Sequence, residues 1–125
     1  MKLNHIALNI NHVDDILNFY QNMLGMQLQY QFTLSASLSR AFFGFDQELP
    51  VYFYQKDHVA FELFVTSKKI NNGIAHACLE IPDRESFIAQ CQDMGYPVNC
   101  VERDSKPNLV FVWDKSGNCF EIKEE

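Results

Sequence analysis

The chain repeats itself, and that repetition limits its fold more than any other feature. Leu3-Asn4-His5-Ile6-Ala7-Leu8-Asn9-Ile10 and Ile74-Ala75-His76-Ala77-Cys78-Leu79-Glu80-Ile81 are both eight-residue segments with a strand pattern and histidine in third place. A helix-like stretch follows each and stops at a glycine. The first carries Val13, Ile16, Leu17, Tyr20, Met23 and Leu24 at helical spacing and ends at Gly25. The second runs from Asp83, a candidate N-cap, through Phe87, Ile88, Cys91 and Met94 to Gly95. The histidine-to-glycine spacing is 20 positions in the first copy (25 − 5) and 19 in the second (95 − 76). Each copy closes on a related tripeptide, Phe61-Glu62-Leu63 and Phe120-Glu121-Ile122.

Between helix and tripeptide, the first half offers strands at Gln27–Phe32, Ser37–Phe45 and Val51–Tyr54, with Phe45–Pro50 as a loop. The second half offers Pro97–Glu102 and Leu109–Trp113. Polar Lys68–Gly73, ending in Asn-Asn-Gly, reads as a linker. The expected architecture is α+β. Two tandem βαβββ modules, residues 1–67 and 74–125 joined by 68–73, form a curved, partly open mixed β-sheet, with a helix covering the outer face of each module. A module of about 60 residues has a marginal core alone, so pairing of modules, within a chain or between chains, is expected.

Strand side chains alternate faces, so parity separates core from site. Ile6, Leu8 and Ile10 share a face suited to packing under the helix, leaving His5 opposite with Ala7 and Asn9. Ala77, Leu79 and Ile81 leave His76 opposite with Cys78 and Glu80. Glu62 and Glu121, each flanked by apolar residues, also point away from the helix. A single strand histidine is ordinarily a hydrogen-bonded core residue, and a single glutamate there is ordinarily solvated. An ionised carboxylate in an apolar strand is costly unless water, a salt bridge or a cation compensates it. Recurrence of His and Glu at equivalent places favours the cation. Two histidines and two carboxylates suit one divalent ion, whether Zn, Ni, Co, Mn or Fe.

Composition removes other classes. The net charge of −6 and the lone basic dipeptide Lys68-Lys69 argue against nucleic-acid binding. No apolar run approaches the roughly 18 residues of a membrane span, and no signal-peptide pattern opens the chain, so a cytoplasmic protein is expected. Cys78, Cys91, Cys100 and Cys119 form no C-x-x-C pair and read as free thiols packed as small apolar groups. His12 and His58 fall in turns and receive no role.

These residues resemble the vicinal oxygen chelate superfamily, which includes glyoxalase I, bleomycin-resistance proteins, extradiol dioxygenases and methylmalonyl-CoA epimerase. The motifs are the His5 strand, Phe19–Met26 ("FYQNMLGM") and Trp113–Ile122 ("WDKSGNCFEI"). The last is similar to the D-x-x-G-N-x-x-E signature, with Asp114, Gly117, Asn118 and Glu121 in place. The resemblance is closest to glyoxalase I-like proteins. It implies metal ligands at His5, Glu62, His76 and Glu121, a small-molecule substrate, a homodimer, and metal-assisted proton transfer on carbon. Glu121 would be the base, with Glu62 as second candidate. Asn9 stands where a glutathione-binding arginine is expected, and Thr66 where an asparagine is. Asn9, Arg103 and Trp113 are the candidate substrate-binding residues. Three alternatives remain open: a metal-free binder resembling the bleomycin-resistance proteins, with aromatics such as Phe42, Phe43, Phe45 and Phe53 forming a pocket; an iron-dependent extradiol dioxygenase; and an epimerase acting on a coenzyme A thioester.

Overall fold

The computed structural model describes every residue, Met1–Glu125. The chain divides into two compact units, Met1–Lys69 and Ile70–Glu125. Each is built around its own four-stranded mixed sheet.

In the first unit the order along the chain is β1 (Ile6–Ile10), a π-helix (Ile16–Met23), β2 (Gln27–Leu34), α1 (Ala36–Phe43), β3 (Leu49–Lys56) and β4 (Val59–Val65). The sheet order is β1-β4-β3-β2, with β1 parallel to β4 and the other neighbours antiparallel. The second unit has β5 (Ala77–Ile81), α2 (Arg84–Asp93), β6 (Val98–Arg103), β7 (Lys106–Trp113) and β8 (Cys119–Glu124). Its sheet order is β5-β8-β7-β6, with β5 parallel to β8. The repeat in the sequence is thus a repeat in topology.

Alternation sets both cores. Phe61 and Leu63 on β4 are fully buried, as are Phe120 and Ile122 on β8. Tyr20 of the π-helix meets Phe61 edge-on with ring centroids 5.9 Å apart, and the Tyr54 hydroxyl donates to Gln21 Oε1 at 3.1 Å. In the second unit Phe87 and Cys91 of α2 are buried, and Val110 and Val112 join Phe120 on the core side. Burying one Phe of this kind contributes about 1.5–3 kcal/mol. These rows turn Glu62 and Glu121 to the other face. Asp83 caps α2, its side chain accepting from Ser86 N at 3.1 Å.

Four expectations are corrected. The proposed strand Ser37–Phe45 is a helix, α1. Ser35 Oγ accepts from Leu38 N, and Gly44 closes the helix at φ 72°, a left-handed conformation that costs other residues about 1–2 kcal/mol. The first helix is π-wound, with Leu24 N donating to Phe19 O. The wider turn buries Ile16, Phe19, Tyr20 and Leu24 and leaves Leu17 exposed, although it fits an α-helical face, and Val13, also exposed, lies ahead of the helix. The opening histidines lie one residue ahead of β1 and β5 rather than inside them. Of the four cysteines only Cys91 is buried, while Cys78 and Cys100 are exposed. Cys78 faces away from the core, and Cys100 lies on exposed β6.

Candidate metal centre

Each unit holds one histidine beside one glutamate, built in the same way. In the parallel pair β1–β4, Ala7 is level with Glu62, so His5, two residues earlier, reaches Glu62 diagonally along the same face. His5 Nε2 stands 3.3 Å from Glu62 Oε2. In β5–β8, Cys78 is level with Glu121, and His76 Nε2 stands 3.6 Å from Glu121 Oε2. On the antiparallel side Phe53 is level with Glu62, and Phe111 with Glu121. These phenyl rings stand roughly perpendicular to the imidazoles, at 81° and 5.7 Å for His5 and 75° and 5.4 Å for His76. The side chains of the pairs are similarly exposed, 34% and 15% for His5 and Glu62, 37% and 17% for His76 and Glu121, so a ligand can reach both.

The other ring nitrogen of each histidine faces an oxygen. His5 Nδ1 lies 2.8 Å from Asn4 Oδ1, and His76 Nδ1 lies 2.9 Å from Ile74 O. Both partners are acceptors, so Nδ1 carries a proton and donates. In a neutral ring, that puts the free lone pair on Nε2, the atom facing the carboxylate. Metal-binding histidines are held in this tautomer in the same way, by a carbonyl behind the ring.

Both separations are longer than a direct charge-assisted hydrogen bond. A charge-assisted N–H···O bond measures about 2.7–2.9 Å, shorter than either pair. Two donors bound tetrahedrally at about 2.1 Å stand roughly 3.4 Å apart, between the observed 3.3 and 3.6 Å. Within neither unit does a group of three or more His, Cys, Asp or Glu side chains come together as a cation site. Each unit holds one such His–Glu pair.

The units differ around their pairs. Glu121 Oε1 lies 3.9 Å from Lys123 Nζ, whereas Glu62 has no ion-pair partner but His5. Cys78 occupies the position held by Ala7 in the first unit. Desolvation of its sulfur, and after that the adjacent Glu121 carboxylate, raise the Cys78 thiol pKa. Burial raises that of Cys119. Both stay protonated at neutral pH, and neither is an activated nucleophile.

Hydrogen bonds close the turn before Glu121. Asp114 Oδ1 accepts from Asn118 N and Oδ2 from Asn118 Nδ2, both at 2.8 Å, with both residues buried. Gly117 takes φ 93°, and Asp114 N donates to Asn118 O at 3.1 Å. The D-x-x-G-N segment is thus a closed loop from which β8 starts.

Among the candidate substrate residues, Trp113 lies on the Glu121 face beside Phe111, ring centroids 6.2 Å apart. Arg103 turns back at the β6–β7 turn and donates to Pro107 O through Nε and Nη2. Asn9 lines a pocket of about 160 Å³ in the first unit, with Ala7, Leu8, Phe43, Phe45, Leu49, Phe64 and Thr66. Sequence reasoning missed the oxygens behind the histidines; its aromatic pocket included Phe43 and Phe45, which line this one, but not the wall that depends on α1. The signals available were Asn4 next to His5, and the Ser35 and Gly44 caps.

The family model of the Glyoxalase/Bleomycin resistance protein/Dioxygenase superfamily matches residues 2–122. The chain belongs to this superfamily. Glyoxalase-superfamily folds of known structure align over nearly its whole length. A glyoxalase family protein from Enterococcus faecalis is 17% identical with a TM-score of 0.73, over 98% of this chain and 97% of that one. One from Bacillus cereus is 13% identical with a TM-score of 0.77, over 100% and 94%. The fosfomycin resistance protein FosX from Listeria monocytogenes is 12% identical with a TM-score of 0.76, over 100% and 93%. At these identities the likeness is one of fold. A mutant of FosX has been crystallised with Mn(II) and 1S,2S-dihydroxypropylphosphonic acid. No curated protein sequence matches the chain. No helix is long and apolar enough to cross a membrane.

Proposed function

We propose that this glyoxalase-superfamily protein is a divalent-metal-dependent lyase or isomerase that moves a proton on the carbon next to a carbonyl of a small molecule. The metal ligands in this reading are His5, Glu62, His76 and Glu121, and the protein works as a cytoplasmic homodimer. The observation that carries it is the repeated His–Glu pair, with Nε2 free to coordinate and donor separations of 3.3 and 3.6 Å.

A bound divalent ion would supply Lewis acidity to the substrate's oxygens, with Zn, Ni, Co, Mn and Fe all compatible with two imidazoles and two carboxylates. The remaining work falls to the chain. Glu121 takes the proton from the hydroxyl-bearing carbon beside the carbonyl and returns it to the former carbonyl carbon, while the hydroxyl proton passes to the former carbonyl oxygen, and Glu62 is the second candidate for the base. Asn4 Oδ1 and Ile74 O hold the imidazoles in the tautomer that keeps Nε2 on the site face. Phe53 and Phe111 wall the pairs and limit water around the carboxylates.

The test is solvent deuterium exchange into α-hydroxycarbonyl compounds and thiohemiacetals, using metal-reconstituted protein. The reading predicts exchange that ceases on chelation and falls by about 10²-fold or more in Glu121→Gln, in line with loss of a general base. Exchange unchanged by chelator would refute it. The pocket in the first unit favours a second reading, a metal-free small-molecule binder. That reading predicts ligand binding indifferent to chelator and no exchange.

A further inference from the structure

The pocket of the first unit has a size, a lining and a position that select its occupant. Its volume is about 160 Å³, and an apolar cavity of about 150 Å³ accommodates one benzene ring. None of its lining side chains is charged. Thr66 is buried, and its polar groups are engaged internally: its N–H donates to Ile10 O at 2.9 Å, and its Oγ1 accepts from Lys68 N at 3.1 Å. Leu8 and Leu49 add apolar surface. The outer wall comes from the end of α1. Left-handed Gly44 lets Phe43 and Phe45 both line the pocket, and Phe43 meets Phe64 edge-on at 5.5 Å.

The pocket shares a face with the His5–Glu62 pair. Ala7 and Asn9 follow His5 at even spacing on β1, and Phe64 and Thr66 follow Glu62 at even spacing on β4. Two residues of strand span about 7 Å. A ring seated against Phe64 and a carbonyl placed at Glu62 are therefore neighbours on one face, close enough to belong to one small molecule.

We infer that the pocket between α1 and the β1–β4 strands is a specificity subsite for one uncharged, phenyl-sized group, and that the substrate is an α-oxygenated carbonyl compound bearing such a group close to the reacting carbon. The placement of the carbonyl rests on the metal-dependent reading above; the ring subsite does not. Phe43 determines specificity through contact with the ring and takes no part in proton transfer.

The experiment compares 2-hydroxyacetophenone, which carries the ring, with hydroxyacetone, which lacks it. Binding is followed by methyl NMR shifts of Ala7 and Leu49, which line the pocket on the site face, with chelator and with diamagnetic Zn(II). The ring compound is expected to shift both methyls under both conditions, and hydroxyacetone to leave them unmoved. Phe43→Ala, a change at a half-exposed position that leaves the sheet core intact, should weaken the ring compound by about tenfold, the loss expected when one apolar wall is removed. If ring binding persists with chelator while Zn(II) fails to bind, the metal reading falls and the subsite stands. If Zn(II) binds but the two compounds act alike at Ala7 and Leu49, or Phe43→Ala changes nothing, the subsite is overturned. No methyl shift with either compound overturns it as well.

Discussion

Glu62 and Glu121 owe their direction to their neighbours. Phe61, Leu63, Phe120 and Ile122 claim the core, so the carboxylates face the other way. That much was legible from sequence, because a period of two leaves no freedom once the apolar residues are placed. The orientation of the imidazoles was not, because Asn4 Oδ1 and Ile74 O belong to segments ahead of the strands, where no periodicity speaks. At this scale Cys91 supplies a pH test. Burial pushes its thiol pKa from 9.0 to about 12. Between those values the unfolded thiol loses its proton while the folded one keeps it, so the stability this thiol supplies is present below pH 9 and drains away up to about pH 12. The slope is at most about 1.4 kcal/mol per pH unit. Urea unfolding at pH 8 and pH 10 should show a smaller alkaline loss in Cys91→Ala than in the unsubstituted protein; equal losses would refute the assignment. At pH 8, iodoacetamide with peptide mapping should label exposed Cys100 in the folded protein and Cys91 only after unfolding.

At the scale of elements, the β7–β8 turn and α1 show what local sequence does and does not declare. Asp114, Gly117 and Asn118 were recognisable as a motif, and the structure gives them a mechanical task, closing the loop from which β8 starts. Asp114→Ala would leave the buried Asn118 donors short of their acceptors, at a cost of about 2–3 kcal/mol by chemical denaturation. A change under 0.5 kcal/mol would show that the loop is not held this way. Helix α1 was misread because Leu-Ser-Ala-Ser-Leu-Ser, residues 34–39, alternates apolar and polar as a strand does. Its caps were the better evidence. Ser35→Ala should cost about 1 kcal/mol, the usual value of an N-cap, and its absence from thermal unfolding data would count against the cap. The π-helix was out of reach of an α-helical template, since its wider turn moves the buried face onto Phe19.

At the scale of the molecule, one topology occurs twice, β1-β4-β3-β2 and β5-β8-β7-β6, and each copy places one imidazole and one carboxylate on its site face. The duplication was readable from two histidines, two glycines and two Phe-Glu tripeptides, because side-chain periodicity and helix stops are local signals. The kind of metal and the reacting molecule were not readable, because four N and O donors accept many divalent ions and a pocket is made by residues far apart in sequence. The central claim is that the two pairs serve one ion. The direct measurement is elemental analysis of untagged protein reconstituted with Mn(II), Ni(II) or Zn(II), alongside His5→Ala and His76→Ala. One ion per chain, lost in both variants although each removes a ligand from only one unit, is the result predicted. Two ions per chain, each lost with its own histidine, or no ion retained at all, would contradict the account.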